Sequence, residues 1–111
     1  MVRSTAAEIL LERERCVLSQ RHGGGLLSYE VWGYRDGSRT VVTRHNLAYI
    51  NPALHTGDNG RVLGYDNAHG YHHRHYMGKI EAVEFESYEA TVNRFQDEWR
   101  QLVADLLRNR S

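Results

Sequence analysis

The sequence predicts an α+β domain, in which a small antiparallel β-sheet of about four strands carries a long amphipathic helix on one face. Two observations predict this fold class. Short runs rich in β-branched and aromatic residues alternate with turn-forming glycines through most of the chain, which is typical of antiparallel strands. The C-terminal stretch instead repeats apolar residues at intervals of three and four, the period of a helix with one buried face. At 111 residues the chain is predicted to form a single domain spanning residues 1–111.

Four segments are predicted to be strands. Residues 8–18 come first, although their Glu and Arg content leaves a helix as the alternative there. Residues 26–34 and 40–50 follow, and the Asp36-Gly37 pair between them supplies the positive φ that a tight hairpin turn needs. Residues 61–67 are expected to form the fourth, shorter strand.

The remaining segments are a loop, an extended stretch and the helix. Residues 51–60 contain the only proline and a Gly-Asp-Asn-Gly sequence, so we expect a loop. Residues 81–86 are either a last short strand or an extended lead-in. The helix follows Ser87, a suitable N-cap residue, and Glu89 lies in its first turn. Its apolar stripe, which is expected to pack on the sheet, consists of Val92, Phe95, Trp99, Leu102, Val103 and Leu106.

The composition predicts a folded protein of the cytoplasm. Hydrophobic residues make up 41% and charged residues 25%, as in ordinary globular domains, which excludes wholesale disorder. No apolar run approaches the roughly 18 residues of a membrane span, and we see no secretory signal. The single cysteine, Cys16, suits a reducing compartment and is expected to be a small buried hydrophobe. The formal net charge of zero permits a nucleic-acid partner without requiring one.

The most informative stretch is the histidine-rich segment, residues 65–78, which reads YDNAHGYHHRHYMG. Four of its seven residues from 69 to 75 are histidines, and its glycines predict a loop. Two imidazoles can remove one proton and deliver another at pH 7, while an adjacent arginine can hold a phosphate. His73, Arg74 and His75 supply that set. In a turn all three side chains can converge, whereas in an extended strand Arg74 points away from the two histidines.

Two other interpretations of this segment stay open. Its histidines can bind zinc, nickel or copper as a pair at i and i+2 on a strand, or as His69 with His72 or His73 on a helical turn. Asp66 or Asp58 can add a carboxylate. Alternatively, they are exposed side chains without a role. We accept that last interpretation for the scattered His22, His45 and His55, but not for four clustered histidines.

The residues from 61 to 70 (RVLGYDNAHG), followed by His73-Arg74-His75 and Gly78, resemble the core motif of the TumE family of toxin–antitoxin proteins. The order of the predicted elements resembles that family as well. The resemblance implies a toxin encoded beside a small helix-turn-helix antitoxin. By position it marks Tyr65, Asp66, Asn67, His73, Arg74 and His75. His69 and His72 depart from the family pattern.

We therefore expect a cytoplasmic bacterial toxin that cleaves RNA without a metal or any other cofactor. His73 and His75 are expected to act as general base and general acid, in either order, and Arg74 to bind the scissile phosphate. Asp66 is expected to orient an imidazole, unless the Asp66-Asn67 pair only forms a turn. Substrate binding is assigned to Tyr65, Asn67, His69 and His72.

Two alternative functions compete with this expectation. One is a metal-dependent nuclease, or a nucleotidyl or phosphoryl transferase, which a chelator would inhibit. The other is a non-catalytic module that binds a partner or a nucleic-acid backbone through the histidine-rich segment. A sheet of this size is expected to leave an edge strand exposed, where a second copy or the antitoxin can pair.

Overall fold

The structure, a computed structural model, describes residues 7–110 apart from the side chains of His69 and Arg110. Within that range the fold is α+β: six antiparallel strands lie side by side in chain order, and one long helix follows them. Single turns of 3₁₀ helix lie in three of the connections. The elements are β1 (Ile9–Val17), β2 (Leu26–Asp36), β3 (Arg39–Ile50), β4 (Arg61–Asp66), β5 (His73–Tyr76), β6 (Lys79–Ala82) and α1 (Tyr88–Arg110).

The sheet has six strands, so the expectation of about four was too low. The additional strands are β5 and β6, a hairpin that includes part of the histidine-rich segment expected to be a loop. Gly70 and Gly78, both at φ +84°, lie in the turns beside these strands rather than inside them. Strands of four residues are too short to show a period in the sequence.

The structure gives the secondary structure of the two segments for which the sequence left alternatives, residues 8–18 and 81–86. The strand interpretation of residues 8–18 is confirmed by β1, and the helix alternative is wrong. Residues 81–86 divide between the end of β6 and an extended stretch that leads into α1. Cys16, expected to be buried, is exposed, because β1 lies at the edge of the sheet, where nearly all its side chains are in solvent.

The helix α1 covers one face of the sheet and closes the core. Ser87 caps it as predicted, since the Ser87 Oγ accepts a hydrogen bond from the Ala90 N–H at 3.0 Å. Phe95 of the predicted stripe is fully buried, and the rings of Tyr29 and Tyr65 pack edge-on against it. Each fully buried apolar side chain contributes roughly 1.5–3 kcal/mol, so packing fixes this face. The core cluster consists of Leu27, Leu47, Tyr49, Val62, Leu63, Tyr65, Phe95 and Val103.

The other face of the sheet carries polar side chains, and we call it the open face. Because side chains alternate along a strand, the residues between those of the core point away from α1. Glu30, Asn46 and Asp66 lie in register across β2, β3 and β4, and His73 of β5 pairs with Asp66. This polar row therefore leads to the histidine-rich segment. Among residues 7–110, no helix combines the length and apolar character that crossing a bilayer requires.

Candidate functional site

One carboxylate and two imidazoles form a buried group on the open face, where β4 pairs with β5. In this ladder Asp66 is opposite His73 and Gly64 is opposite His75, so Asp66, His73 and His75 share a face. Their exposed fractions are only 7%, 5% and 7%. We call these three residues the Asp–His–His cluster. Because β5 is extended, Arg74 points to the opposite face, as expected for a strand.

Both imidazoles approach the same carboxylate. The Nε2 atom of His73 lies 2.6 Å from Oδ1 of Asp66, and the Nε2 atom of His75 lies 3.0 Å from Oδ2. The Nδ1 atom of His73 is 3.1 Å from the carbonyl oxygen of Tyr71, which can only accept a hydrogen bond. Both ring nitrogens of His73 thus face acceptors. The contact of His75 Nε2 lacks hydrogen-bond alignment, so this buried nitrogen has no hydrogen-bond partner.

Two local contacts hold the cluster in place. The Asp66 Oδ1 atom accepts a hydrogen bond from the Ala68 N–H at 3.0 Å, so the Asp66-Asn67 pair forms the turn that the sequence allowed. The ring of Tyr71 packs against the ring of His73, with 4.7 Å between centroids, while Tyr71 itself remains 47% exposed. The carboxylate of Asp66 therefore has a role in the turn as well as in the cluster.

Arg61, which the sequence did not single out, joins the cluster from the start of β4. Its Nη2 atom donates to Nδ1 of His75 at 3.1 Å, and its Nε donates to Oδ2 of Asp58 at 2.8 Å. A Cβ atom at Gly64 would lie 2.8 Å from Cδ of Arg61, so glycine is needed there for this approach. Burial, and then the Arg61 charge, lowers the pKa of His75. Hydrogen bonding from Arg61 likewise lowers the pKa of Asp58.

The cluster also has the composition of a metal site. One ligand atom from each of Asp66, His73 and His75 can be chosen so that all three lie within 4.8 Å of one another. Two imidazole nitrogens and one carboxylate oxygen are donors that zinc and other first-row transition metals accept. The arrangement can therefore support proton transfer between imidazoles or coordination of one cation.

The structure does not bring Arg74 to this cluster. Its Nη2 and Nε atoms lie 2.5 Å and 3.1 Å from Oε2 of Glu98 in α1, and its Nη1 lies 3.1 Å from Oε1 of Glu81. Its guanidinium also lies 4.8 Å from the ring centroid of Tyr76. Burial alone would lower the pKa of Arg74, but hydrogen bonding to Glu98 and the Glu98 charge outweigh it and raise the pKa. Arg74 is thus already paired with two carboxylates on the helix side.

Tyr65 and Asn67 also have partners within the fold. Tyr65 is buried on the helix side, where its hydroxyl donates to Glu98, and burial followed by this contact raises the pKa of Tyr65 to about 12. The Asn67 Oδ1 accepts from the His45 N–H at 3.0 Å, and its Nδ2 donates to the Thr43 carbonyl at 2.9 Å. Asn67 therefore continues the pairing of β3 beyond the end of β4.

A group of stacked rings lies on the helix side of the same sheet end. The His72 ring lies 3.9 Å from that of Phe85 and 5.5 Å from that of His45, and Tyr88 packs on His45 at 5.7 Å. We call this region, which encloses about 300 Å³ and also includes Arg94, the aromatic cleft. Asp66 and His73 of the cluster border it.

His45 was interpreted from the sequence as a residue without a role, yet only 3% of it is exposed within the aromatic cleft. Burial, and then the neighbouring His72, lowers the pKa of His45 to about 4. The sequence did contain a signal, because His45 alternates with Leu47 and Tyr49 and so shares the core-facing side of β3.

A second cavity lies on the open face, beside Arg61. It encloses about 330 Å³ along β1 to β4, and we call it the open-face groove. Arg15, Asn46, Asp58 and Arg61 are among the residues that line it. The groove is connected to the cluster through Arg61, which lines the groove and donates to Nδ1 of His75.

Three further histidines, His22, His55 and His69, are not among the residues of the Asp–His–His cluster or the stacked rings. The side chain of His69, expected to bind substrate, lies outside the part of the chain that the structure describes. His22 is exposed, and its Nδ1 lies 3.0 Å from the Ser19 hydroxyl, far along the chain from β4 and β5. His55 lies beside Gly78 and outside the Asp–His–His cluster.

Comparison of the chain with family models, with curated proteins and with solved structures gives no match. The cluster and the aromatic cleft that borders it are therefore the features of the molecule that indicate a function.

Proposed function

We propose that the protein is an intracellular toxin of the TumE type, which cleaves RNA at the Asp–His–His cluster by proton transfer and without a metal. The observation that carries this proposal is the convergence of His73 and His75 on one buried carboxylate, with Arg61 in contact with the same network. Two imidazoles and a guanidinium are the groups that cleavage of RNA by its own 2′-hydroxyl requires.

The reaction needs one base and one acid. The 2′-oxygen attacks the adjacent phosphorus while the base removes the 2′-hydroxyl proton. The bond from phosphorus to the 5′-oxygen of the next nucleotide breaks, and the acid delivers a proton to that oxygen. The products are a 2′,3′-cyclic phosphate and a free 5′-hydroxyl.

His75 is our candidate for the base. Its lowered pKa favours a neutral ring at pH 7, and the Nδ1 lone pair of that ring accepts from Arg61. A phosphate that attracts the Arg61 guanidinium uncovers this lone pair. The Asp66 carboxylate, 3.0 Å from Nε2, then stabilises the positive charge that the ring acquires. Binding of the substrate thereby activates the base.

His73 is our candidate for the acid. Its Nδ1 faces the Tyr71 carbonyl and its Nε2 faces Asp66, and both contacts are satisfied only when both nitrogens carry protons. A doubly protonated imidazole is the form that can release a proton to a leaving oxygen. His73 also borders the aromatic cleft, so we place the leaving nucleotide on that side.

In this proposal Arg61 binds the scissile phosphate, the role that the sequence suggested for Arg74. Arg61 lines the open-face groove, and one fifth of its side chain is exposed. Arg74 is held by Glu98 and Glu81 on the helix side. The guanidinium of Arg61 can exchange Asp58 for a phosphate without leaving a buried charge unpaired.

The toxin part of the proposal is supported by the resemblance of residues 61–78 to the TumE motif, which implies a helix-turn-helix antitoxin as partner. The two edges of the sheet, β1 and β6, carry exposed apolar side chains, among them Val17 at 80% and Ile80 at 59%. Such edges are places where the antitoxin or a second copy can add a strand.

The test is incubation of purified, untagged protein with total cellular RNA, with and without EDTA. The variants His73→Ala and His75→Gln are compared with His22→Gln, which removes an exposed histidine in the connection between β1 and β2, outside the cluster. We expect cleavage that resists EDTA, survives in His22→Gln and is lost in the two cluster variants. The ends should be 2′,3′-cyclic phosphates.

Growth arrest on expression of the same variants tests the toxin assignment separately. Arrest that persists in both His73→Ala and His75→Gln would rule out the cluster as the origin of toxicity. Arrest by a protein that cleaves no RNA under any condition would retain the toxin assignment and reject ribonuclease activity.

A further inference from the structure

We propose that the Asp–His–His cluster is also a binding site for one divalent transition-metal ion, such as zinc, and that the bound ion switches off proton transfer there. Binding is inferred from the geometry alone. The inhibitory effect rests on the proposed function, because it presupposes that His73 and His75 exchange protons with a substrate.

A cation between the His73 ring and Asp66 would stabilise the arrangement of these two side chains. The Tyr71 carbonyl fixes a proton on Nδ1, so in the neutral ring Nε2 carries a lone pair. That lone pair faces the Asp66 Oδ1 atom across 2.6 Å, and two acceptors at this distance repel each other. Either a second proton on the ring or a metal ion between the two atoms removes the repulsion.

His75 supplies a second, independent observation. More than nine-tenths of its surface is buried, and its Nε2 has no hydrogen-bond partner although it lies 3.0 Å from Asp66 Oδ2. A buried nitrogen without a partner costs free energy. One cation placed between Asp66, His73 and His75 would pair this nitrogen and the His73 lone pair with the same carboxylate.

The surrounding contacts resemble those that support metal-bound histidines. A ligating imidazole usually donates its other N–H to a carbonyl or a carboxylate. The Tyr71 carbonyl serves His73 in this way. For His75 the acceptor is Asp58, whose Oδ2 lies 3.8 Å from Nδ1, so metal binding requires Arg61 to move away from Nδ1. The ligand atoms must also separate to about 3.3 Å, the spacing set by a tetrahedral ion with bonds of about 2.0 Å.

Coordination and catalysis exclude each other at this site. A metal on both Nε2 atoms occupies the position of the proton that His73 would deliver. It also requires a proton on Nδ1 of His75, which removes the lone pair that would accept the 2′-hydroxyl proton. Coordination therefore leaves the cluster without its proposed base and without its proposed acid.

The experiment is titration of the untagged full chain with zinc chloride. Calorimetry measures the affinity and the number of ions bound, and thermal unfolding measures the shift of the midpoint. We expect one ion per chain and a midpoint raised by several degrees. Asp66→Asn and His75→Gln should weaken binding at least 100-fold. Asp58→Asn, which removes only the expected acceptor for His75 Nδ1, should weaken it 10- to 100-fold. Circular dichroism verifies that each variant is folded.

The matched control is the double variant His69→Ala with His72→Ala, which removes two neighbouring histidines and spares the cluster. It should bind one zinc ion as tightly as the wild type. If the control abolishes binding while Asp66→Asn retains it, the ion binds adventitiously to the other histidines and the proposed site is wrong. If the wild-type chain binds no zinc, the proposal fails and the proposed ribonuclease is unaffected.

Cleavage of RNA by the same samples separates the two proposals. Inhibition by one equivalent of zinc, with recovery after EDTA, supports both. Tight binding that leaves cleavage unchanged overturns the switch. Cleavage that requires zinc overturns both the switch and the metal-free mechanism, while the site itself stands.

Discussion

The strands β4 and β5 present two very different surfaces. On the side that faces α1, Tyr65 and Arg74 share Glu98 as a partner, so the polar groups there end in a partly buried ion pair. The residues next to Tyr65 and Arg74 in the chain point to the open face, where His73 and His75 both contact the carboxylate of Asp66. The first set has complementary charges and matched donors and acceptors. The second set leaves a buried nitrogen without a partner and directs both rings at one carboxylate.

This difference indicates which polar residues stabilise the fold and which are available for chemistry. Groups whose donors and acceptors match have little capacity to bind anything else, because a new ligand must first break existing contacts. Groups that include a buried nitrogen without a hydrogen-bond partner are stabilised when they bind a proton, a phosphate or a metal ion. Adjacent residues of one motif, His73 and Arg74, therefore fall into separate classes although the sequence suggested one common site.

The largest expected effect comes from His75→Gln on the open face. Glutamine retains a hydrogen-bonding group of comparable reach but cannot accept and release a proton near neutrality. We expect cleavage of RNA to fall about 10²- to 10⁴-fold, the usual contribution of a general base. The free energy of unfolding should change by less than about 1 kcal/mol, because the glutamine oxygen can accept the Arg61 hydrogen bond that Nδ1 accepts and the Nε2 atom has no hydrogen bond to lose. Single-turnover rates and urea denaturation measure the two quantities.

A folded His75→Gln variant that cleaves at the wild-type rate would contradict the assignment of chemistry to the open face. A loss of several kcal/mol of stability in the same variant would instead mean that His75, like Arg74, mainly stabilises the fold.

The next effect concerns pH and the aromatic cleft on the helix side. His45 has a pKa of about 4 in the folded protein against 6.5 ordinarily, so the folded state keeps it neutral. As the pH falls from 6.5 to 4, the unfolded chain takes up this proton before the folded chain does. The free energy of unfolding should therefore fall by about 3 kcal/mol over that window, since each pKa unit corresponds to about 1.4 kcal/mol.

His45→Phe isolates this contribution, because phenylalanine keeps the ring packing with His72 and Phe85 and does not titrate. Denaturation with urea at pH 7 and at pH 4.5 should show a smaller loss of stability in the variant. Equal losses in both proteins would mean that other groups account for the acid sensitivity.

The third effect tests the ion pair under α1. Glu98→Gln keeps the shape of the side chain but removes the charge that pairs with Arg74 and accepts from Tyr65. We expect a destabilisation of about 2 kcal/mol, less than for a fully buried pair because Glu98 is partly exposed. Cleavage per folded molecule should stay within about twofold, since the Asp–His–His cluster lies on the other face. A selective loss of activity in a stable variant would contradict the separation of the two faces.

The general fold could be predicted from the sequence because it depends on periodic patterns. The stripe from Val92 to Leu106 predicts α1, and Asp36-Gly37 predicts the turn between the long strands β2 and β3. The hairpin of β5 and β6 could not be predicted, because four residues show no period and their glycines indicated a loop. Long elements were therefore predictable from their periodic patterns, and the two four-residue strands were not.

The candidate site was only partly predictable, for a different reason. Asp66, His73 and His75 were identified because unusual residues are close together in the chain. Arg61 begins the same strand as Asp66, but its contact with His75 depends on the pairing of β4 with β5. The contact of His45 with His72 likewise depends on how the strands pack, and no local pattern encodes either contact. Arg74 was expected at the site because of its neighbours, but alternation along a strand places it on the opposite face.

The smallest expected effect compares the two arginines directly. Arg61→Lys and Arg74→Lys both keep the positive charge and remove the planar fork that binds a phosphate or carboxylate through two hydrogen bonds. If Arg61 contacts the scissile phosphate, Arg61→Lys should lower cleavage about tenfold, which equals about 1.4 kcal/mol of transition-state stabilisation. Arg74→Lys should leave the cleavage rate within about twofold and lower only the stability. Rates measured below saturation, beside urea denaturation, separate these outcomes, and a tenfold loss in Arg74→Lys alone would return phosphate binding to the residue that the sequence first suggested.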